Sequence, residues 1–191
     1  MSIGQRWLLV VCFLALATAC APKAVTSAHA SPQETVYVAL AERLLQWAGA
    51  DQGVFEARPS LAGLDTVEVA RDLAYVARET PSLNPAMLAA IRASARDTSC
   101  LPIPTDWRAH HLRLETVCGP PSLKYPVAER ARQSRVAALG TSAIAFSPDS
   151  SQALVVGMIL CGDLCAHAAY YVFARTETGW RVAQAVVVGE S

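Results

Sequence analysis

The run Gln152 to Leu160, QALVVGMIL, constrains the fold more than any other stretch of the chain. Apolar side chains occupy consecutive positions, whereas a half-exposed strand alternates apolar with polar, so a strand formed here needs cover on both faces. Its neighbours lie close by in sequence. Thr141 to Ser147 precedes it as a strand with Ile144 and Phe146 on one face, and Ser147-Pro148-Asp149-Ser150 suits a type I turn. Ala168 to Arg175 (AAYYVFAR) follows, and Thr178-Gly179 turns that run into Trp180 to Val188. Connections this short join antiparallel neighbours, because a parallel pair needs a long crossover. The sequence therefore predicts a C-terminal antiparallel β-meander of about four strands.

Helices are expected to supply the cover. Ser31-Pro32-Gln33-Glu34 combines a cap residue, proline at the first helical position and glutamate three after the cap. Val36, Leu40, Leu44 and Trp47, flanked by Tyr37 and Ala48, then recur at helical spacing as far as Gly49, a natural stop. A loop is expected around Phe55 to Gly63. Asp65-Thr66-Val67-Glu68 opens a second helix through Val69, Leu73, Val76 and Ala77, closed by Thr80-Pro81, and Asn84-Pro85 opens a third through Met87, Leu88 and Ile91 to about Arg96. Val127 to Leu139 reads as a further short helix ending at Gly140. Four prolines at 102, 104, 120 and 121 exclude a long helix between Cys100 and Pro121, where Leu112 to Val117 alternates as one strand. With 191 residues, 53% of them hydrophobic, one core is well supplied and two domains are not. The fold class is α+β, with about three N-terminal helices packed on the C-terminal meander.

The first residues read as an export leader. Arg6 and the terminal amine precede the uncharged run Trp7 to Ala17, which is too short to span a membrane comfortably. Ala17-Thr18-Ala19-Cys20 follows, and this stretch resembles the lipobox of bacterial lipoproteins, departing from it in placing Ala17 where leucine is preferred. The resemblance implies a signal peptide over 1–19 and lipidation of Cys20, and the small, polar, proline-containing composition that follows reads as a tether over 20–33 ahead of a globular domain over 34–191. The resemblance also implies a membrane partner through the anchor and a periplasm-facing location, with Ala21 after the cysteine favouring the outer membrane. An ordinary cut after Ala19 or after Ala30 is the alternative.

Of six cysteines, Cys12 leaves with the leader, so lipidation of Cys20 leaves an even four: Cys100, Cys118, Cys161 and Cys165. Four cysteines allow three pairings, of which the local one joins Cys100 to Cys118 and Cys161 to Cys165. Closing the Cys100 loop is worth on the order of 3 kcal/mol.

Chemistry-bearing residues are few. Lys+Arg and Asp+Glu are both 16, and no basic stripe interleaves with aromatics, so nucleic acid is not an expected partner. His110, His111 and Glu115 are more simply solvated loop residues than metal ligands, and His29 belongs to the tether. Arg130, Arg132 and Arg135 read as a solvated helix face before an anion site. Cys161 and Cys165, with Asp163 between them and His167 just beyond, offer a soft-metal or thiol-redox centre against the simpler disulfide. No nucleophile elbow, phosphate loop, dinucleotide fingerprint or zinc-protease motif is present.

Ser142-Ala143-Ile144-Ala145-Phe146-Ser147-Pro148-Asp149, Gln152-Ala153-Leu154-Val155, Cys161-Gly162-Asp163-Leu164-Cys165 and Gly179-Trp180-Arg181-Val182 together resemble the C-terminal signature of uncharacterised bacterial exported proteins and lipoproteins. That resemblance implies an α+β exported domain and no reaction. The sequence-level expectation is a non-catalytic binding or accessory module with no assigned cofactor or metal. A metal or thiol-redox protein centred on Cys161, Cys165 and His167 is the first alternative, and a hydrolase the second.

Overall fold

The computed structural model describes residues 30–61, 66–120, 126–134, 136–161 and 165–190. The leader, Cys20, the tether up to residue 29, the Asp65 cap, Arg135 and Asp163 lie outside the described residues.

Ser31 caps the first helix, α1 (Pro32–Ala48), its Oγ accepting the Glu34 amide at 3.1 Å. Gly49 ends it at φ 62°, a left-handed conformation that carries no Cβ penalty in glycine. Its buried stripe comprises Val36, Tyr37, Leu40, Ala41, Leu44 and Leu45, with Trp47 packed at the margin. The chain then forms strand β1 (Gln52–Glu56), helix α2 (Thr66–Glu79) and helix α3 (Pro85–Ser94), the last capped by Asn84, whose Oδ1 accepts the Ala86 amide at 2.9 Å. A 3-10 turn at Trp107–His110 leads to β2 (Arg113–Val117), α4 (Pro126–Ser134), β3 (Ala137–Thr141), β4 (Ala145–Phe146), β5 (Gln152–Leu160), β6 (Ala166–Thr176) and β7 (Gly179–Glu190).

The architecture is α+β, but the expected four-stranded antiparallel meander is corrected to a mixed sheet of seven strands. Their order is β2-β1-β3-β5-β6-β7, with β4 also on β5. β1 pairs in parallel with both β2 and β3, while β5, β6 and β7 form the antiparallel portion. The parallel pairings are possible because helices separate these strands in sequence and provide the crossovers.

The expected loop from Phe55 therefore begins as the end of a strand, with Phe55 fully buried. The expected helix over Val127 to Leu139 stops at Ser134, and all five residues of β3 are buried between β1 and β5. Alanines favour helix intrinsically, but two-sided burial in the sheet outweighs that preference. Nor is Gly140 a helix stop: a Cβ there would collide with Val127 of α4 and with the Ser60 hydroxyl, so α4 packs directly on the bare backbone.

The single strand expected over Thr141 to Ser147 is interrupted. Register shifts from Thr141 opposite Gly157 to Ala145 opposite Leu154, so Ser142 to Ile144 stand against only Val155 and Val156. Ser142 closes the gap: its amide donates to the Val156 carbonyl at 3.1 Å, and its Oγ accepts the Val156 amide at 2.9 Å.

β5 is covered on both faces, as its composition requires. Ala153, Val155 and Ile159, with Tyr171 and Phe173 of β6, pack under α1 together with Phe55, Leu139 and Trp107. Leu154 and Val156, with Tyr170 and Val172, pack under Val69, Leu73 and Val76 of α2 and Met87 and Ile91 of α3. Helix α1 approaches β5 most closely at Gly157, where a Cβ would sit 2.7 Å from Leu40 Cδ1 and 2.9 Å from Tyr171 Cε2. Replacing Gly157 with valine overpacks this contact and is expected to cost about 1–3 kcal/mol. Thermal denaturation should then show a midpoint lowered by roughly 2–4 °C for each kcal/mol lost; an unchanged midpoint would contradict the close approach.

Candidate functional site

A concave feature lies on the outer side of α2 and α3. Thr80 to Asn84 joins the two helices in five residues, with the Leu83 amide donating to the Thr80 carbonyl at 3.0 Å, so they lie antiparallel and adjacent. Val69, Leu73 and Val76 of α2 and Met87 and Ile91 of α3 are buried in the core. What remains between their flanks is small: Ala70, Ala74 and Ala77 from α2 face Leu88, Ala89 and Ala93 from α3 across a groove of about 1130 Å³. Short side chains leave this space unfilled. Among the described residues the polar lining is Thr66, Arg92, Arg96 and Thr98. Because the helices are antiparallel, the start of α2 lies beside the end of α3, so all four collect at one end of the groove. Among the described residues neither arginine forms an ion pair and no carboxylate lines the groove. Nothing in the sequence distinguished Arg92 and Arg96, since their significance depends on which helix flank opens outward.

The residues singled out from the sequence fall elsewhere. Cys100 is bonded to Cys118 and Cys161 to Cys165, with Cα separations of 6.0 and 5.0 Å. The sulfurs of Cys161 and Cys165 therefore engage each other. His167 turns under α1: its Nε2 lies 2.9 Å from the Tyr171 hydroxyl, and its ring stacks on Trp47 at 4.5 Å. His110 contacts Glu34 of α1 at 3.2 Å, while His111 and Glu115 are exposed on a turn and on β2. Among the described residues no three His, Cys, Asp or Glu side chains converge as a metal site. The expected arginine face is divided: Arg130 reaches inward to Glu56 at 3.2 Å and Arg132 pairs with Glu129.

Glu56 is the polar feature that the sequence did not reveal. Its side chain is fully buried at the carboxyl end of β1. One carboxylate oxygen accepts the Gly119 amide at 2.8 Å and the Arg58 amide at 3.1 Å, and the other accepts Arg130 Nε at 3.2 Å. It thereby ties β1 to the chain after β2 and to α4. Removing one partner of such a buried pair leaves uncompensated polar groups. Glu56→Ala is expected to destabilise by about 3–5 kcal/mol, and Glu56→Gln by clearly less because its amide oxygen retains acceptor capacity. Urea midpoints of the two variants test this, and equal losses would refute it.

His167 Nδ1 has no hydrogen-bond partner and faces Glu190 at 3.8 Å. Burial lowers the His167 pKa from its usual range, Glu190 opposes that shift, and the positive charge of Arg43 adds to it. The unfolded chain therefore holds the proton more tightly than the folded one. Its contribution is complete above about pH 6.5 and is lost progressively as pH falls below that value. His167→Gln should flatten the decline of the urea midpoint between pH 7 and pH 5, and an unaltered slope would assign the decline to other groups.

Compared with known proteins, the chain matches no family model, no curated protein and no solved structure.

Proposed function

We propose that the protein is a non-catalytic binding module of the cell envelope, held at a membrane through lipidated Cys20, whose α2–α3 groove receives the acyl chain of an anionic amphiphile. The ligand class rests on one observation: among the described residues, an apolar, alanine-lined groove has its polar lining at one end, and the charged residues there, Arg92 and Arg96, are cations. An acyl chain would lie along Ala70, Ala74, Leu88 and Ala89, with its anionic head between the arginines and the Thr66 and Thr98 hydroxyls. Apolar burial supplies affinity, and the arginines select the sign of the head group. The positive end of the α2 dipole and the negative end of the α3 dipole meet here and oppose each other, so the charge preference rests on the two arginines.

Titration of the full mature protein with a fluorescent long-chain carboxylate, and with a trimethylammonium probe of equal chain length, tests the reading. The carboxylate should bind preferentially. Arg92→Glu combined with Arg96→Glu should weaken its binding by roughly tenfold, and Ala74→Trp should block both probes by filling the groove. Equal binding of the two head groups, or binding indifferent to Ala74→Trp, would remove this function. The anchor is tested separately by intact mass of membrane-extracted protein: an unmodified Cys20 or a mature terminus at Ser31 would rule it out.

A further inference from the structure

Arg58 is 6% exposed, yet its guanidinium forms no ion pair among the described residues. The adjacent carboxylate, Glu56, takes its cation from Arg130 and offers Arg58 only an acceptor for the backbone amide. The Arg58 guanidinium is instead held by the Gly119 carbonyl, which accepts from Nε at 2.7 Å and also from Nη2. Nη2 then lies 3.4 Å from Cys118 Sγ and 3.9 Å from Cys100 Sγ. Both cysteines are exposed. The result is a disulfide between two exposed cysteines with a buried cation against one sulfur and, among the described residues, no carboxylate paired with that cation. Cys161 and Cys165 differ on both counts: they are half-buried, and no arginine donates to them among the described residues.

We infer that the Cys100–Cys118 disulfide is an exchange-active site that reacts with an external dithiol, with Cys118 as the leaving sulfur. An attacking thiolate forms a bond to Cys100 Sγ, the Cys100–Cys118 bond breaks, and its electron pair remains on Cys118 as a thiolate. Arg58 gains the anion it lacks. The second thiol of the dithiol, after losing its proton to water, attacks the mixed disulfide and closes the reagent's own disulfide. Cys100 leaves and takes a proton from water. Two electrons pass from dithiol to protein, and the reverse sequence reoxidises it. The polarity of the site follows from the unequal distances, because the sulfur nearer the guanidinium is the better leaving group and the better-held thiolate.

The full mature protein is equilibrated with graded ratios of reduced to oxidised dithiothreitol, and the thiols are alkylated and located by mass spectrometry. Cys100 and Cys118 should become reduced at a ratio at least roughly tenfold less reducing than Cys161 and Cys165 require. In the reduced protein, Cys118 should alkylate with a midpoint at least roughly a unit below the ordinary thiol value near 8.5, and Cys100 should not. Arg58→Met should abolish both differences and Arg58→Lys should restore much of them. Since Arg58→Met also loosens Gly119, the wild-type comparison of the two cysteines stands as the decisive measurement. Simultaneous reduction of the two disulfides, matching pH profiles for Cys100 and Cys118, or loss of the folded circular dichroism spectrum on reducing Cys100–Cys118 alone would each overturn the proposal.

Discussion

Two-sided burial of β5 is the constraint from which the rest of the molecule follows. A strand with Ala153, Val155 and Ile159 on one face and Leu154 and Val156 on the other cannot sit at the surface of a two-layer fold. Helices must lie above and below it, and the chain meets that demand by sending α1 to one side and the α2–α3 pair to the other. Each helix group meets one parity of β5 and β6 side chains. The alternation of Tyr170 with Tyr171 and of Val172 with Phe173 serves the same division, so a shift of one residue would exchange the two cores.

The second organising interaction is electrostatic. Strand β1 lies far in sequence from β2 and from helix α4. The Glu56 carboxylate gathers them by satisfying the Gly119 and Arg58 amides while pairing with Arg130. A buried anion is costly unless its acceptors are occupied, and here each of its oxygens is engaged. The same arrangement leaves Arg58 with its charge directed at sulfur.

What was legible in the sequence was local. The Ser31 and Asn84 caps, the Gly49 stop, the boundaries of β5 and the short turn before it all depend on residues within a few positions of one another, and the structure shows each of them. The unread elements depend on distant partners. β1 contains a glycine and a glutamate and derives its stability from ladders to residues some sixty and eighty positions on. β3 carries an alanine-rich sequence that is helical by propensity and extended only because β1 and β5 flank it on both sides. The site followed the same pattern. Cysteine parity called for two disulfides and left three pairings open, of which the structure shows the local one, but the groove arises from what two helices leave unfilled between them. Arg92, Arg96 and Arg58 carry no sequence mark that separates them from other surface arginines.

The edge strand β7 shows how an open sheet can remain a single unit. Its ladder with β6 shifts register between Ala168 and Ala169 and again between Val172 and Phe173, leaving Val188 and Ala183 as the extra residues on the β7 side. The twelve-residue edge strand is thereby interrupted twice by bulges, which locally disrupt the ladder and increase the twist of the strand. Crowding many copies of such a domain side by side, as on a densely populated surface, would not bring two straight edges into alignment. The irregularity of the last strand therefore opposes fibrillar association without requiring a charged side chain at every exposed position.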